Sequence, residues 1–401
     1  MKKIIILFSL MFLMQNIFAI VSEEYSVVDI HGFISQGYLI SDHNNIITNT
    51  EDGTFKFNEV GLNFSTSLTE NLRFGVQLLS RDLDNNENKI NLDWGYGDYR
   101  WRDWLGLRAG IMKVGYGLYN EIRDNDALKT NIFLPQSIYN EGWRESVSSI
   151  EGVSLYGNLP LAMMGSLEYQ LQTGLIKITE DGRMAKSISL SLLNIEDIDE
   201  KQSNITKLTW QTPIDLSLAF TWIDLDFDVT ATNTYQNPVD GSYITEDVNP
   251  AWDTEVYTFS GEYNWENLTL AAEYTLYDYN MEFDIYNGAV SVEPFEAEGY
   301  YGSLAYRFTD WFKVGTYYSE YYFDKDDKDG DQFAPYEERG RLKDFTLTTR
   351  FDINTYWSFK LENHAMFGVA QTFPDENMDE EGNIDYEEKW NLFAAKLTYF
   401  F

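Results

Sequence analysis

From about residue 28 onward the chain alternates apolar and polar positions with a period of two, again and again, with polar connectors between the stretches. In 71–79, Leu72, Phe74, Val76 and Leu78 share one face, and Arg73, Gly75 and Gln77 the other. In 165–174, Leu167, Tyr169 and Leu171 oppose Ser166, Glu168, Gln170 and Gln172. Period two marks a strand with two unlike faces. Counting such stretches predicts strands near 28–40, 55–68, 71–81, 89–100, 104–116, 149–158, 164–175, 204–211, 214–225, 254–263, 268–281, 298–308, 311–323, 342–352, 357–369 and 389–401. That is about sixteen, within bounds of roughly 14–18, and bacterial single-chain barrels use even numbers.

The connectors alternate in length. Thr69-Glu70-Asn71, Trp101-Arg102-Asp103-Trp104 and Thr309-Asp310 are short and are expected at the periplasmic rim, with the long segments external. All eight prolines (135, 160, 213, 238, 250, 294, 335 and 374) are expected in turns or loops, because a strand bonded on both sides has no place for them. Trp101, Trp104, Trp210, Trp265, Trp311 and Trp357 fall beside the short connectors and predict an interfacial girdle. The expected fold is all-β: a transmembrane antiparallel β-barrel. A soluble antiparallel sandwich has the same period, but it leaves the two ends of the chain without explanation.

Met1-Lys2-Lys3, the apolar run Ile4–Met14 and the segment ending at Ala19 read as a signal peptide, although Ile17 is large for the position three before cleavage. The expected division is a leader at 1–19, cleaved near Ala19, and a barrel at 20–401, placed in the bacterial outer membrane. No later apolar run is long enough for a spanning helix. At the other end, Phe393, Ala395, Leu397, Tyr399 and Phe401 share one face. Leu397, Tyr399 and the terminal Phe401 resemble the signal read by the outer-membrane barrel-assembly machinery.

Composition narrows the function. Aromatic residues make up 16% of the chain while mean hydropathy is −0.37, a combination suited to a barrel with a polar lumen and aromatic belts. There is no cysteine, which excludes disulfides and a lipid-modified cysteine. The formal charge is −36, and loss of 1–19 removes Lys2 and Lys3 and no acid, giving −38. That charge argues against a nucleic-acid partner and for attraction of cations.

A sixteen-strand lumen is wide enough for water, so selectivity rests on whatever narrows it. The third long connector, 117–148, mixes charges with Ile132, Phe133, Leu134 and Ile138, apolar residues that an exposed loop has no reason to carry. Folded inward, it is expected to form a constriction through Glu121, Arg123, Asp124, Asp126, Lys129, Glu141, Arg144 and Glu145. Arg73, Arg108, Glu168, Arg307, Lys360 and Glu362 are expected on the lumen wall. Glu121, Asp124 and Asp126 would face Arg73 and Arg108 to set up a transverse field; alternatively, those arginines pair with nearby carboxylates in the wall.

The stretches His31-Gly32-Phe33-Ile34-Ser35-Gln36-Gly37-Tyr38 and Gly53-Thr54-Phe55-Lys56-Phe57-Asn58-Glu59-Val60-Gly61-Leu62-Asn63-Phe64, with the region from Asp98-Tyr99-Arg100 to Tyr139, resemble a family of porin-like proteins of Gram-negative bacteria, mostly of unassigned substrate. The resemblance covers about residues 30–160; beyond it only barrel character matches. It implies an outer-membrane channel. An inward third loop and a homotrimer follow by analogy with general porins, and no catalytic or substrate-binding residue is carried over.

The acidic segments 324–331 and 371–389 are expected to be solvated and to concentrate cations at the mouth, with loose divalent binding against lipid phosphates as the alternative. Setting Gly330 as the invariant glycine of an EF-hand puts Lys325 first and Tyr336 last, so that spacing fails, and no metal or other cofactor is expected. His31, His43 and His364 sit in no catalytic motif, and no enzyme is expected. The expected function is passive diffusion of small hydrophilic solutes with a preference for cations. A substrate-specific sugar or nutrient channel, with Tyr301, Tyr317 and Tyr321 as an aromatic track, is the alternative within transport. An adhesin or structural barrel with partner-binding acidic loops is the alternative outside it.

Overall fold

A computed structural model describes residues 27–83, 88–180, 182–189, 193–236, 240–285, 288–291, 294–379 and 381–401. The leader expected at 1–19 lies outside these residues. The first half of the wall is β1 (Asp29–Ser41), β2 (Asn58–Ser67), β3 (Leu72–Asp82), β4 (Ile90–Arg102), β5 (Leu105–Lys113), β6 (Ser149–Pro160) and β7 (Ser166–Leu175), then β8 (Leu193–Glu200) and β9 (Gln202–Gln211). The second half is β10 (Leu216–Gln236), β11 (Tyr243–Trp265), β12 (Leu268–Ile285), β13 (Gly288–Ser291), β14 (Phe295–Thr309), β15 (Phe312–Tyr322), β16 (Arg341–Asp352), β17 (Trp357–Gly368) and β18 (Lys389–Phe400). Because β8 and β9 both lie along β10, they act as one wall strand, and β13 is a short addition to β12. The result is a closed barrel of sixteen antiparallel strands.

Closure comes from β1, which pairs with β2 on one side and with β18 on the other, from Phe33↔Phe400 to Ser41↔Leu392. Around the ring of sixteen no edge remains among the described residues, so the wall strands satisfy one another's backbone polar groups, while the projecting β8, β13 and upper β11 have one partner each. Gly32 is needed at this seam: a Cβ there would lie 2.5 Å from the Phe401 ring and 2.6 Å from the Gly61 carbonyl oxygen.

Burial along the strands is inverted relative to a water-soluble sheet. On β16, Phe345 and Leu347 are 53% and 51% exposed, whereas Asp344, Thr346 and Thr348 are buried. On β17 the buried residues are Ser358, Lys360, Glu362 and His364. Apolar side chains outside and ionisable ones inside fit a wall between lipid and a polar lumen, and oppose the sandwich. The six expected girdle tryptophans are all exposed and ring the short-turn rim. A second belt was not foreseen: Trp222, Tyr257, Tyr274 and Tyr322 lie toward the long-loop rim and donate to Glu255, Glu298 and Glu320. From Trp265 to Tyr257 is eight residues of β11, roughly 27 Å of strand, the scale of a lipid-facing band.

Two expectations need correction. Pro250 lies within β11 and Pro160 ends β6, so not every proline is in a connector. The β10–β11 ladder breaks between Asp228↔Ala251 and Ala231↔Val248, around the position where proline has no N–H to give, while β11 stays in register with β12 through Pro250↔Phe283. Pro135, Pro213, Pro294, Pro335 and Pro374 are outside strands, and Pro238 lies outside the described residues. The strands expected at 214–225, 254–263 and 268–281 also run further, and β8 was not foreseen. These extensions are rich in Asp and Thr and stand above the lipid-facing band, where strand composition is that of a loop.

Candidate functional site: the inward loop and its wall

The connector between β5 and β6 folds into the lumen. Its apolar residues Ile132, Phe133, Leu134 and Ile138 are buried, and Phe133 stacks on Phe57 at 5.3 Å. Burying each such side chain contributes about 1.5–3 kcal/mol, which accounts for apolar residues in a charged loop. Polar contacts then fix its position around the wall. Glu362 of β17 accepts hydrogen bonds from the Ile132 and Phe133 amides, both at 2.8 Å. Arg350 of β16 donates to the carbonyl oxygens of Asp126, Ala127 and Lys129. Further round the wall, Glu273 of β12 accepts from the Leu118 amide at 2.9 Å and the Tyr139 hydroxyl at 2.5 Å.

The charged loop residues form buried clusters. Asp126 accepts from Lys396 at 2.7 Å and Thr398 at 2.9 Å on β18, and lies 3.5 Å from Lys360 and 3.7 Å from Lys129. Glu141 pairs with Arg81, with Arg123 at 2.9 Å and with Arg144 at 3.3 Å. Arg144 also reaches Glu59 at 3.1 Å and Asp124, and Asp124 pairs with Lys113. Burial by itself would raise these loop carboxyls. Lys360, Lys396 and Lys129 instead hold Asp126 well below its ordinary value, Lys113 and Arg144 do so for Asp124, and Arg123, Arg81 and Arg144 for Glu141. A buried carboxylate is tolerable only when so matched.

Glu121 sits lower and is less buried, 3.1 Å from Lys207 of β9. The Glu145 side chain lies outside the described residues. Of the expected wall residues, Lys360 and Glu362 hold the loop. Arg73 donates to Ser65 at 3.1 Å and borders the short-turn cavity with Glu121 and Asp124, while Arg108 pairs with Asp98 at 3.3 Å over the Tyr156 ring and borders a second cavity with Glu121. Their second reading, pairing within the wall, holds for Arg108. Glu168 and Arg307 are exposed toward the short-turn rim. Leu397 and Phe401 are exposed on the outer face of β18, with Tyr399 between them and against Trp357 at 4.9 Å. Of the three tyrosines of the expected track, Tyr301 bonds Glu273 and Tyr317 bonds Asp344, both buried, while Tyr321 lines an open space.

The loop divides the lumen. Toward the short turns is a cavity of about 940 Å³ bordered by Ile122, Asp124, Asn125 and Ala127 of the loop, with Arg73, Lys113 and Arg350 from the wall. Toward the long loops is a chamber of about 520 Å³ bordered by Arg123, Ile138, Asn140 and Trp143 of the same loop.

A closed sixteen-strand barrel, inverted in its burial and carrying a loop docked inside, is the porin fold. No protein-family model matches the sequence, and no curated protein matches it. Solved structures do. An anion-selective porin of Comamonas acidovorans superposes with a TM-score of 0.59 at 12% identity, over 94% of this chain and 100% of that one. The outer membrane channel DcaP of Acinetobacter baumannii gives 0.56 at 11% identity, over 95% and 99%. OmpT, an outer membrane protein of Vibrio cholerae in a trimer form, gives 0.54 at 10% identity, over 94% and 99%. At these identities the likeness establishes the fold.

Proposed function

We propose that this chain, after loss of a leader at 1–19, forms a water-filled outer-membrane channel for passive diffusion of small hydrophilic solutes, with a modest preference for cations. The observation that carries this reading is the docked loop, which lies within a lumen whose wall carries buried ionisable side chains and which leaves open space on both of its sides. The charge balance favours a weak rather than a strong selectivity. The short-turn cavity is bordered by Glu121, Asp124, Asp310 and Asp352 against Arg73, Lys113 and Arg350, a surplus of one acid. Acids at the long-loop mouth, such as those of 371–389, add to it.

Assembly as a homotrimer, insertion through the C-terminal Leu397, Tyr399 and Phe401, and contact of the two aromatic belts with outer-membrane lipid belong to the same proposal. Purified protein in planar bilayers is expected to give stable conductance steps, and a reversal potential of cation-selective sign in a potassium chloride gradient. An anion-selective sign overturns the preference, and an absence of steps overturns the channel.

A further inference from the structure

The chamber on the long-loop side is unlike the rest of the lumen. In a chain with 65 acidic residues, Arg123 and Asp324 are its only charged lining residues among the described residues, and both are occupied. Arg123 is bound by Glu141, and Asp324 accepts from the Asp326 amide of its own loop. Most of the remaining wall is aromatic or aliphatic. The rings form a connected arc: Phe323 on Phe295 at 5.2 Å, Phe295 on Tyr279 at 5.1 Å, and Tyr279 on Tyr277 at 6.2 Å and 5°. Trp143, from the inward loop, stands perpendicular to Tyr277 at 6.2 Å and forms the floor. Across the space, Trp252 stacks on Phe227 at 5.9 Å and 9°.

Two facts distinguish this space from an imperfectly filled core. First, it measures about 520 Å³, many times the gap left by any single deleted side chain and within the range of small-molecule sites. Its apolar walls offer water few partners, so leaving it unfilled sacrifices dispersion contacts on every side. Second, the Trp252 indole N–H, on the chamber wall, is buried and has no hydrogen-bond partner among the described residues. Buried indole N–H groups ordinarily find an acceptor. The Trp252 N–H is covered as the ring stands, and an acceptor supplied by a bound molecule satisfies it once the half-buried Trp252 ring turns toward the space.

We infer that this chamber is a binding site for a neutral, ring-bearing small molecule that presents one hydrogen-bond acceptor to Trp252. The ring lies against the Tyr277–Tyr279 arc, in the offset or edge-on contacts that aromatic faces favour. A charged ligand is disfavoured because both lining charges among the described residues already have partners, and a sugar because most of the lining is aromatic or aliphatic. The inference rests on the channel reading in one respect: it makes the chamber a binding station for uncharged ring compounds on the path from the long-loop side, which ions and other small solutes pass without being held.

The test uses the full-length protein refolded into amphipol, with coumarin (neutral, carbonyl-bearing) as probe and naphthalene, naphthalene-2-sulfonate and glucose as comparisons, each by equilibrium dialysis. Coumarin is expected to bind saturably and the sulfonate and glucose not to. Trp252→Phe, which keeps the ring and removes the N–H, is expected to weaken coumarin about 2- to 10-fold, the range of one hydrogen bond, and to leave naphthalene within about twofold. Val256→Trp, which fills part of the chamber beside the rings, is expected to weaken binding of both.

Coumarin binding unchanged in both variants overturns the site, as does glucose binding as tightly as coumarin. Equal loss of coumarin and naphthalene in Trp252→Phe overturns the hydrogen bond, and this holds even if the filled variant does not fold. Bilayer recordings on the same preparation keep the two readings apart. Conductance steps without coumarin binding overturn the chamber alone, and coumarin binding without steps overturns the channel alone.

Discussion

Asp126, in the middle of the inward loop, lies 2.7 Å from Lys396, on the last strand of the barrel. The contact joins the loop to the seam where the two ends of the chain meet, since β18 pairs with β1. Docking of the loop and closure of the barrel are therefore held by shared residues.

Removing the carboxylate in Asp126→Ala leaves Lys396, Lys360 and Lys129 buried without their common partner. The expected cost is about 3–5 kcal/mol against the docked loop, the range for breaking a buried pair from one side. Lys396→Met is expected to cost less, because Asp126 keeps Lys360 and Lys129. Denaturant unfolding of each variant and of the double variant reads the coupling, and additive effects would deny it.

Glu362 holds the loop through its backbone rather than through charge. Glu362→Leu strands the Ile132 and Phe133 amides, and the loop is expected to lose about 1–3 kcal/mol per unmatched donor. Glu362→Gln keeps one carbonyl oxygen and is expected to lose about half as much. Hydrogen exchange at residues 130–135 ranks the two; equal exchange in both variants and the parent would contradict this anchoring.

The loop carboxyls Asp124, Asp126 and Glu141 are all held well below their ordinary values, so their contribution is fully present above the unfolded carboxylate range of about 3.9–4.3. It is lost as pH falls through the depressed folded values. Conductance and loop protection are therefore expected to be constant from about pH 8 to pH 5 and to change only below about pH 4. A transition centred near pH 6 would contradict the pairing.

Gly32 tests the seam independently. Gly32→Val places side-chain atoms where the Phe401 ring and the Gly61 carbonyl already lie, and the closed barrel is expected to form in lower yield. Heat-modifiable migration of refolded protein in gel electrophoresis checks this. The effect is expected to be partly restored by Phe401→Ala, which vacates the ring.

Strand number, the two rims, the tryptophan girdle and the inward loop were legible because each depends on a local pattern: period-two alternation, connector length, or apolar residues in a charged loop. What alternation could not give is height along the wall. Arg73 was placed on the lumen face, yet it opens β3, while Arg81, which holds Glu141, lies eight residues further on, roughly 27 Å along the strand. Arg108 and Lys113 of β5 differ in the same way, and Lys113 is the one that reaches Asp124. Glu59, Glu273, Arg350 and Lys396 went unnoticed for a related reason. Each is a single charge on an inward face, and its contact with the docked loop joins residues far apart in the chain, which no local spacing measures. Lys396 carried a usable signal, as the one charged residue between Phe393 and Phe401.

The central claim is that the loop narrows a conducting lumen, and single-channel recording tests it most directly. The parent protein is expected to show stable steps, and a variant with 122–134 replaced by a short Gly/Ser linker to show steps at least about twofold larger with weaker cation preference. Identical conductance in the two proteins, or none in either, would contradict it.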